Sequence, residues 1–200
     1  MPRDYAALEP TATRRRDRAV RDDAWIRAFL RAAPYGALAT VHDGRPFLNS
    51  NLFVYDEARH ALYLHTARVG RTAANVAAGG EDGAPVCFSA FSMGRLLPAD
   101  TALEFSVEYE GVVVFGQGAI VEDRAEAREA LHALLDKYAP HLRRGTDYAA
   151  VTDEELKRTA VYRIAIEAWS GKRKAVAPDF PGAFAYAPPE APPPGTGTGA

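Results

Sequence analysis

Cysteine is almost missing from this chain: Cys87 stands alone among 200 residues. A single thiol excludes an intramolecular disulfide framework and a thiolate metal cluster. Lying in the apolar run 85–88, it reads as a buried, inert side chain. An excess of either charge is missing too. The net charge of -2 gives no overall pull toward nucleic acid or an anionic membrane. No apolar run is long enough to cross a bilayer. Met1 is followed by charged residues rather than an apolar signal segment, so the expected location is the cytoplasm, with no nucleic-acid and no membrane partner. None of the five histidines stands at metal-ligand spacing from another, so no metal is expected. No Gly-x-Gly-x-x-Gly follows a strand, and neither a P-loop nor a Gly-x-Ser-x-Gly elbow occurs. These gaps argue against doubly wound dinucleotide dehydrogenases, P-loop NTPases and α/β-hydrolases.

What is present is an ordinary globular composition, 48% hydrophobic and 25% charged, long enough for one well-buried domain. Residues 1–20 are polar and include Arg14-Arg15-Arg16-Asp17-Arg18; they read as a flexible leader rather than a nucleic-acid arm. Residues 21–177 form the folded domain, and the Pro/Gly-rich stretch 178–200 reads as a disordered tail. A helix is expected over 22–32, capped by Asp22 or Asp23, with Trp25, Ile26, Phe29 and Leu30 as its apolar stripe and Pro34 beyond its end. Strands over 36–41, 47–55 and 61–66 read as an antiparallel meander, the first turn centred on Asp43-Gly44. Further strands are expected over 85–91, 104–121 and 161–169, with a loop over 92–101. Gly116 and Gly118 inside a strand predict a bulge or a close backbone approach. Helices are expected over 72–78, stopped by Gly79-Gly80, over 123–138 with Asp123 and Glu126 near a capping box, and over 152–158 behind the capping box Thr152-Asp153-Glu154-Glu155. The sum is an α+β domain: a six- to seven-stranded antiparallel barrel with flanking helices.

Two features point to a binding site. The stretch 61–76 runs from strand to helix through a turn holding Arg68, Gly70 and Arg71, with Thr72 placed to cap. Guanidiniums beside a helix start make a phosphate cradle, and equally a solvated basic turn; both readings stand at this point. The strand before it carries Asn49 and Asn51 on one face between Phe47 and Phe53. Asparagine is disfavoured in strands, so a polar row that hydrogen-bonds a ligand is the preferred reading. His65 sits at a strand end beside the arginine turn, where functional residues collect.

The order and spacing of the helix entering Gly36-Ala37-Leu38-Ala39-Thr40, of Asn49-Ser50-Asn51-Leu52-Phe53-Val54-Tyr55, of Leu62-Tyr63-Leu64-His65-Thr66, of the long strand pair to Val121 with its following helix, and of Trp169-Ser170-Gly171-Lys172-Arg173 resemble the pyridoxamine 5′-phosphate oxidase-like, FMN-binding split-barrel family. Within it the chain is similar to the flavin-nucleotide-binding branch that includes 5-nitroimidazole-resistance proteins. The resemblance implies a split β-barrel homodimer with FMN in a groove between subunits and a small-molecule substrate. It implies that Asn49, Ser50, Asn51 and Leu52 line the isoalloxazine. The segment Leu64, His65, Thr66, Arg68, Gly70 and Arg71 would hold the phosphate and ribityl chain, and Trp169 and Lys172 would reach in from the partner. Many relatives carry Lys where this chain has Thr72, which leaves the positive charge to Arg68 and Arg71. No Arg-Leu-x-Pro segment stands near the C-terminus, where true pyridoxamine phosphate oxidases carry one, which disfavours that activity. The expectation is an FMN-dependent oxidoreductase of small aromatic, nitro or quinone-like acceptors, with His65 as its catalytic group. The alternatives are a flavin or haem binder without turnover, for which His65 is the candidate axial ligand, and a deazaflavin-dependent reductase.

Overall fold

The computed structural model describes residue 4 and residues 7–188. The rest of the leader, and the part of the tail beyond 188, lie outside the described residues. Eight strands form one antiparallel sheet: β1 (Ala19–Val20), β2 (Gly36–His42), β3 (Arg45–Asn51), β4 (Val54–Asp56), β5 (Ala61–Ala67), β6 (Ala84–Leu97), β7 (Ser106–Ile120) and β8 (Thr159–Lys174). The order across it is β3-β2-β6-β7-β8-β5-β4, with β1 added beside β8. Four helices pack around it: α1 (Asp23–Ala32), α2 (Arg71–Ala77), α3 (Arg124–Tyr138) and α4 (Asp153–Arg158). The sheet curls without closing, an α+β split barrel with one strand more than expected.

The turns follow their residues. Asp43 and Gly44 take positive φ angles of 50° and 69°, the conformation a two-residue hairpin needs. Asp22 caps α1 by accepting from the Ala24 amide, and Ile26 and Leu30 bury its stripe. Thr152 and Glu155 form the expected reciprocal box on α4. Asp123 caps α3, but Glu126 does not return to it; its carboxylate turns instead to Tyr63 and Arg163. At Gly116 the ladder slips, so that Phe115 faces Ala168 and Gly116 faces Ile166. A Cβ there would stand 1.9 Å from the Ala165 carbonyl oxygen, which is the close approach its glycine predicts.

Four expectations change. The meander does not form, because β3 and β4 lie at opposite ends of the strand order. The single strand expected over 47–55 breaks at Leu52-Phe53. There Tyr138 Oη donates to the Phe53 carbonyl at 2.9 Å and accepts from its amide at 3.0 Å, and Lys137 Nζ donates to the same carbonyl at 3.0 Å. Side chains thus replace the ladder bonds, and the backbone can leave one sheet end for the other. The loop expected over 92–101 is mostly strand, since β6 continues to Leu97 past an irregularity between Met93 and Leu96, where Arg95 pairs with Glu108 at 2.8 Å. Lastly, structure extends past the expected domain limits: β1 pairs with Gly171 and Lys172, and Phe184 bridges Leu96.

The main core fills the concave side of the sheet around Phe53, Phe88, Val112, Val114, Tyr162 and Ile164, all fully buried. A smaller core under α3 holds Tyr63, Val121, Ala127 and Val161.

Candidate functional site

Strand register assigns each side chain of β3 to a face. Asn49 lies opposite Leu38, which lies opposite Phe88, so Asn49 shares the inner face with the core. Ser50 lies opposite Ala37, then Ser89, Val113 and Ser170, on the outer face. The alternation read from the sequence therefore holds as far as Asn51, and the asparagines point inward.

Their inward positions explain why asparagine is tolerated. Asn49 Nδ2 donates to Thr72 Oγ1 at 3.2 Å. One strand over, Asn75 Nδ2 donates to Thr40 Oγ1 at 2.8 Å, both residues buried. Two amide–hydroxyl bonds thus seat α2 against β2 and β3. Thr72 is consumed there instead of capping; the N-cap is Gly70, with φ of 139° and no side chain. At seven residues α2 carries a small dipole, so a guanidinium would have to supply most of any attraction for an anion. Nothing about Asn75 in the sequence marked it: one polar residue in a short alanine-rich helix carries no periodic signal.

Between β3 and β5 lies the seam where the barrel fails to close. Asn51 Nδ2 reaches across it to the His65 carbonyl at 3.4 Å, while Asn51 Oδ1 is buried and has no hydrogen-bond partner among the described residues. β3 pairs only with β2, so the backbone groups along its seam side have no strand partner. A ligand with N–H or O–H donors meets an unsatisfied acceptor and an open strand edge in one place.

The remaining residues divide. Arg71 is exposed and has no hydrogen-bond or ion-pair partner among the described residues. Arg68 is drawn away, paired with Glu122 at 3.5 Å in a cleft between α3 and α4. Thr66 Oγ1 is bonded to Tyr162 Oη at 2.8 Å. Leu64 is a fully buried core residue, so its side chain supports the strand and cannot line a ligand surface. Leu52, 51% exposed, and His65 line an apolar groove of about 340 Å³ with Leu131, Leu134 and Tyr138 of α3. Desolvation pushes the His65 pKa below its ordinary value, which favours the neutral imidazole. Trp169 is not gathered with these residues. Its indole N–H donates to Asp23 Oδ1 at 2.9 Å, and its ring meets His60 at 4.6 Å and Tyr55 at 6.1 Å between centroids. Lys172 is exposed on the outer face beside Phe91 and Tyr109.

That outer face is apolar: Leu48, Val41, Phe91 and Met93 are each at least half exposed. Among the described residues no group of His, Cys, Asp and Glu side chains could hold a metal, and no helix is long and apolar enough to cross a membrane.

The comparisons with known proteins agree with this architecture. A family model described as pyridoxamine 5′-phosphate oxidase matches residues 22–173. No curated relative matches. Among solved structures, the flavocytochrome Anf3 from Azotobacter vinelandii is 22% identical with a TM-score of 0.70, over 94% of this chain and 91% of its own. An FAD and haem binding protein from Mycobacterium smegmatis is 24% identical with a TM-score of 0.69, over 92% and 93%. An FAD-binding protein from Mesorhizobium loti is 20% identical with a TM-score of 0.55, over 78% and 95%. At these identities the likeness shows a shared fold.

Proposed function

We propose, from the premise that this chain belongs to the pyridoxamine 5′-phosphate oxidase family, that it is a flavin-binding oxidoreductase which holds FMN at the β3–β5 seam. The observation that carries the reading is the unsatisfied Asn51 Oδ1 beside the open edge of β3. The pyrimidine edge and ribityl chain of a flavin offer donors and acceptors suited to such an edge. The unpartnered Arg71 guanidinium suits its phosphate. The flavocytochrome and FAD-binding proteins that share the fold support a flavin as a ligand.

FMN, when bound, supplies the redox chemistry. The chain's own residues do the rest. Backbone groups of Ser50 and Leu52 orient the ring system, and Arg71 neutralises the phosphate. The open apolar groove formed by Leu52, His65 and α3 fits a small planar acceptor, such as a nitroaromatic or a quinone. His65, whose lowered pKa favours the neutral imidazole, can take up a proton at its ring nitrogen beside that acceptor.

Assembly belongs to the same reading. The exposed apolar face of β6 and β7 exceeds what this chain's helices cover, which supports a twofold dimer. Lys172 then approaches the partner's flavin, and Trp169, held by Asp23, braces β8 behind it.

One observation favours a second reading, a haem-binding protein. The two matched proteins named for haem or cytochrome extend over more than nine-tenths of this chain, beyond the 22–173 of the family model. His65 is the candidate axial ligand. The two readings separate in one experiment on Arg71→Ala and His65→Ala, following FMN affinity, the visible spectrum and NAD(P)H-dependent turnover. The flavin reading expects Arg71→Ala to lose ~1.5–3 kcal/mol of FMN binding, about tenfold or more. It expects His65→Ala to keep FMN and lose turnover. A Soret band that disappears in His65→Ala would favour haem, and Arg71→Ala binding FMN like the parent would remove Arg71 from the site. Light scattering giving a monomer mass at micromolar protein would end the dimer.

A further inference from the structure

A separate cleft of about 390 Å³ lies where the segment before α1 folds back over β8 and the start of α1. Three arginines line it: Arg14, Arg16 and Arg21. None of their side chains has a hydrogen-bond or ion-pair partner among the described residues. Elsewhere on the domain most arginines have a carboxylate within 4 Å, as Arg15 and Arg18 do in Asp17 just beside the cleft. Three guanidiniums around a cleft with a single carboxylate leave a surplus of positive charge, which an anion would offset. The cleft carries one carboxylate, Asp23, whose Oδ1 already accepts from Trp169 Nε1. Val20, Ile26 and Trp169 give its lining an apolar part, and Thr11 and Thr13 line it as well.

We infer that this cleft binds the nucleoside diphosphate portion of a nucleotide. Three guanidiniums match two linked phosphates, the threonine hydroxyls suit a ribose, and the apolar part of the lining with Trp169 suits a base. The volume falls within the usual range of ligand sites. The site is distinct from the β3–β5 seam, since it uses no residue of β3 or α2, and it does not depend on which flavin binds there.

The test is calorimetric titration of the full chain with ADP, inorganic phosphate and NADH at low salt. The parent is compared with an Arg14→Ser/Arg16→Ser/Arg21→Ser variant and with Arg71→Ala. All three arginines are exposed, so the triple variant should melt where the parent does. Expected is binding of ADP, weakened by added salt, with Kd raised about tenfold or more in the triple variant and unchanged in Arg71→Ala. NADH carries the same diphosphate and should weaken in parallel; binding tighter than that of ADP identifies a dinucleotide as the source. FMN affinity should not change in the triple variant. Absence of ADP binding, or equal binding by parent and triple variant, overturns the inference. Phosphate binding as tightly as ADP overturns its nucleoside part, and equal loss of ADP in Arg71→Ala places the nucleotide at the seam instead.

Discussion

Replacing Glu126 with alanine should loosen α3 from the sheet, and the structure sets the scale. Tyr63 is 2% exposed, and its hydroxyl donates to Glu126 Oε1 at 2.6 Å. Burial and that carboxylate push the Tyr63 pKa upward, so the phenol stays protonated and remains a donor. Removing the acceptor strands a buried hydroxyl, at a cost of ~1–3 kcal/mol. Arg163 also donates to Glu126, at 3.0 and 3.3 Å, but its side chain is 43% exposed and water can replace that partner. Its share is ~0–1 kcal/mol. The expected loss for Glu126→Ala is thus ~1–4 kcal/mol in urea unfolding. Tyr63→Phe should cost ~0.5–1.5 kcal/mol, because Glu126 keeps Arg163. The decisive quantity is the coupling in the double-mutant cycle, expected near ~1 kcal/mol or more. If Glu126→Ala costs as much in the Tyr63→Phe background as in the parent, the hydroxyl–carboxylate bond does not anchor the helix.

Two further predictions concern the barrel. Gly116→Ala places a methyl against the fixed Ala165 carbonyl, and we expect a loss of ~1–3 kcal/mol by the same assay; a change under ~0.5 kcal/mol would mean the bulge can slide. Burial pulls the Lys137 pKa down from 10.5 to about 8, against the pull of the Leu30 and Phe53 carbonyls and the Phe53 ring, which favour the ammonium. Below pH 8 both states hold the proton and the native state bears the full desolvation cost. Between pH 8 and 10.5 the unfolded chain keeps the proton that the folded chain has lost, so this residue makes stability rise with pH. Urea unfolding at pH 7.5 and 9.5 should show a flatter rise in Lys137→Met; equal slopes in variant and parent would remove Lys137 as the cause.

The sequence carried the fold where a local rule decides it. Asp22, Asp123, Thr152 and the Asp43-Gly44 turn announce element boundaries by their own chemistry. Gly116 announced a close approach before the neighbour, Ala165, could be known. What failed was set by partners distant in sequence. The break at Leu52-Phe53 depends on Tyr138 and Lys137, some 85 residues further along the chain, and alternation alone continues straight through it. The reach of β6 to Leu97 depends on Arg95 finding Glu108. The polar residues of the candidate site were legible by type and not by partner. Asn49 and Asn51 are unusual residues for a strand, which marks a need for partners; Asn49 answers to Thr72, and Arg68 is claimed by Glu122. Which side chain a polar residue bonds is a tertiary fact, and residue type shows only that a partner is needed.

The central claim is that the β3–β5 seam holds a flavin. Its most direct test is to mix the purified full chain with excess FMN, pass it through gel filtration, and record the visible spectrum of the protein peak against its protein content. The account predicts a retained flavin doublet at about one FMN per chain, with a melting temperature that rises with FMN concentration. A protein peak without flavin, and a melting temperature indifferent to FMN, would contradict it.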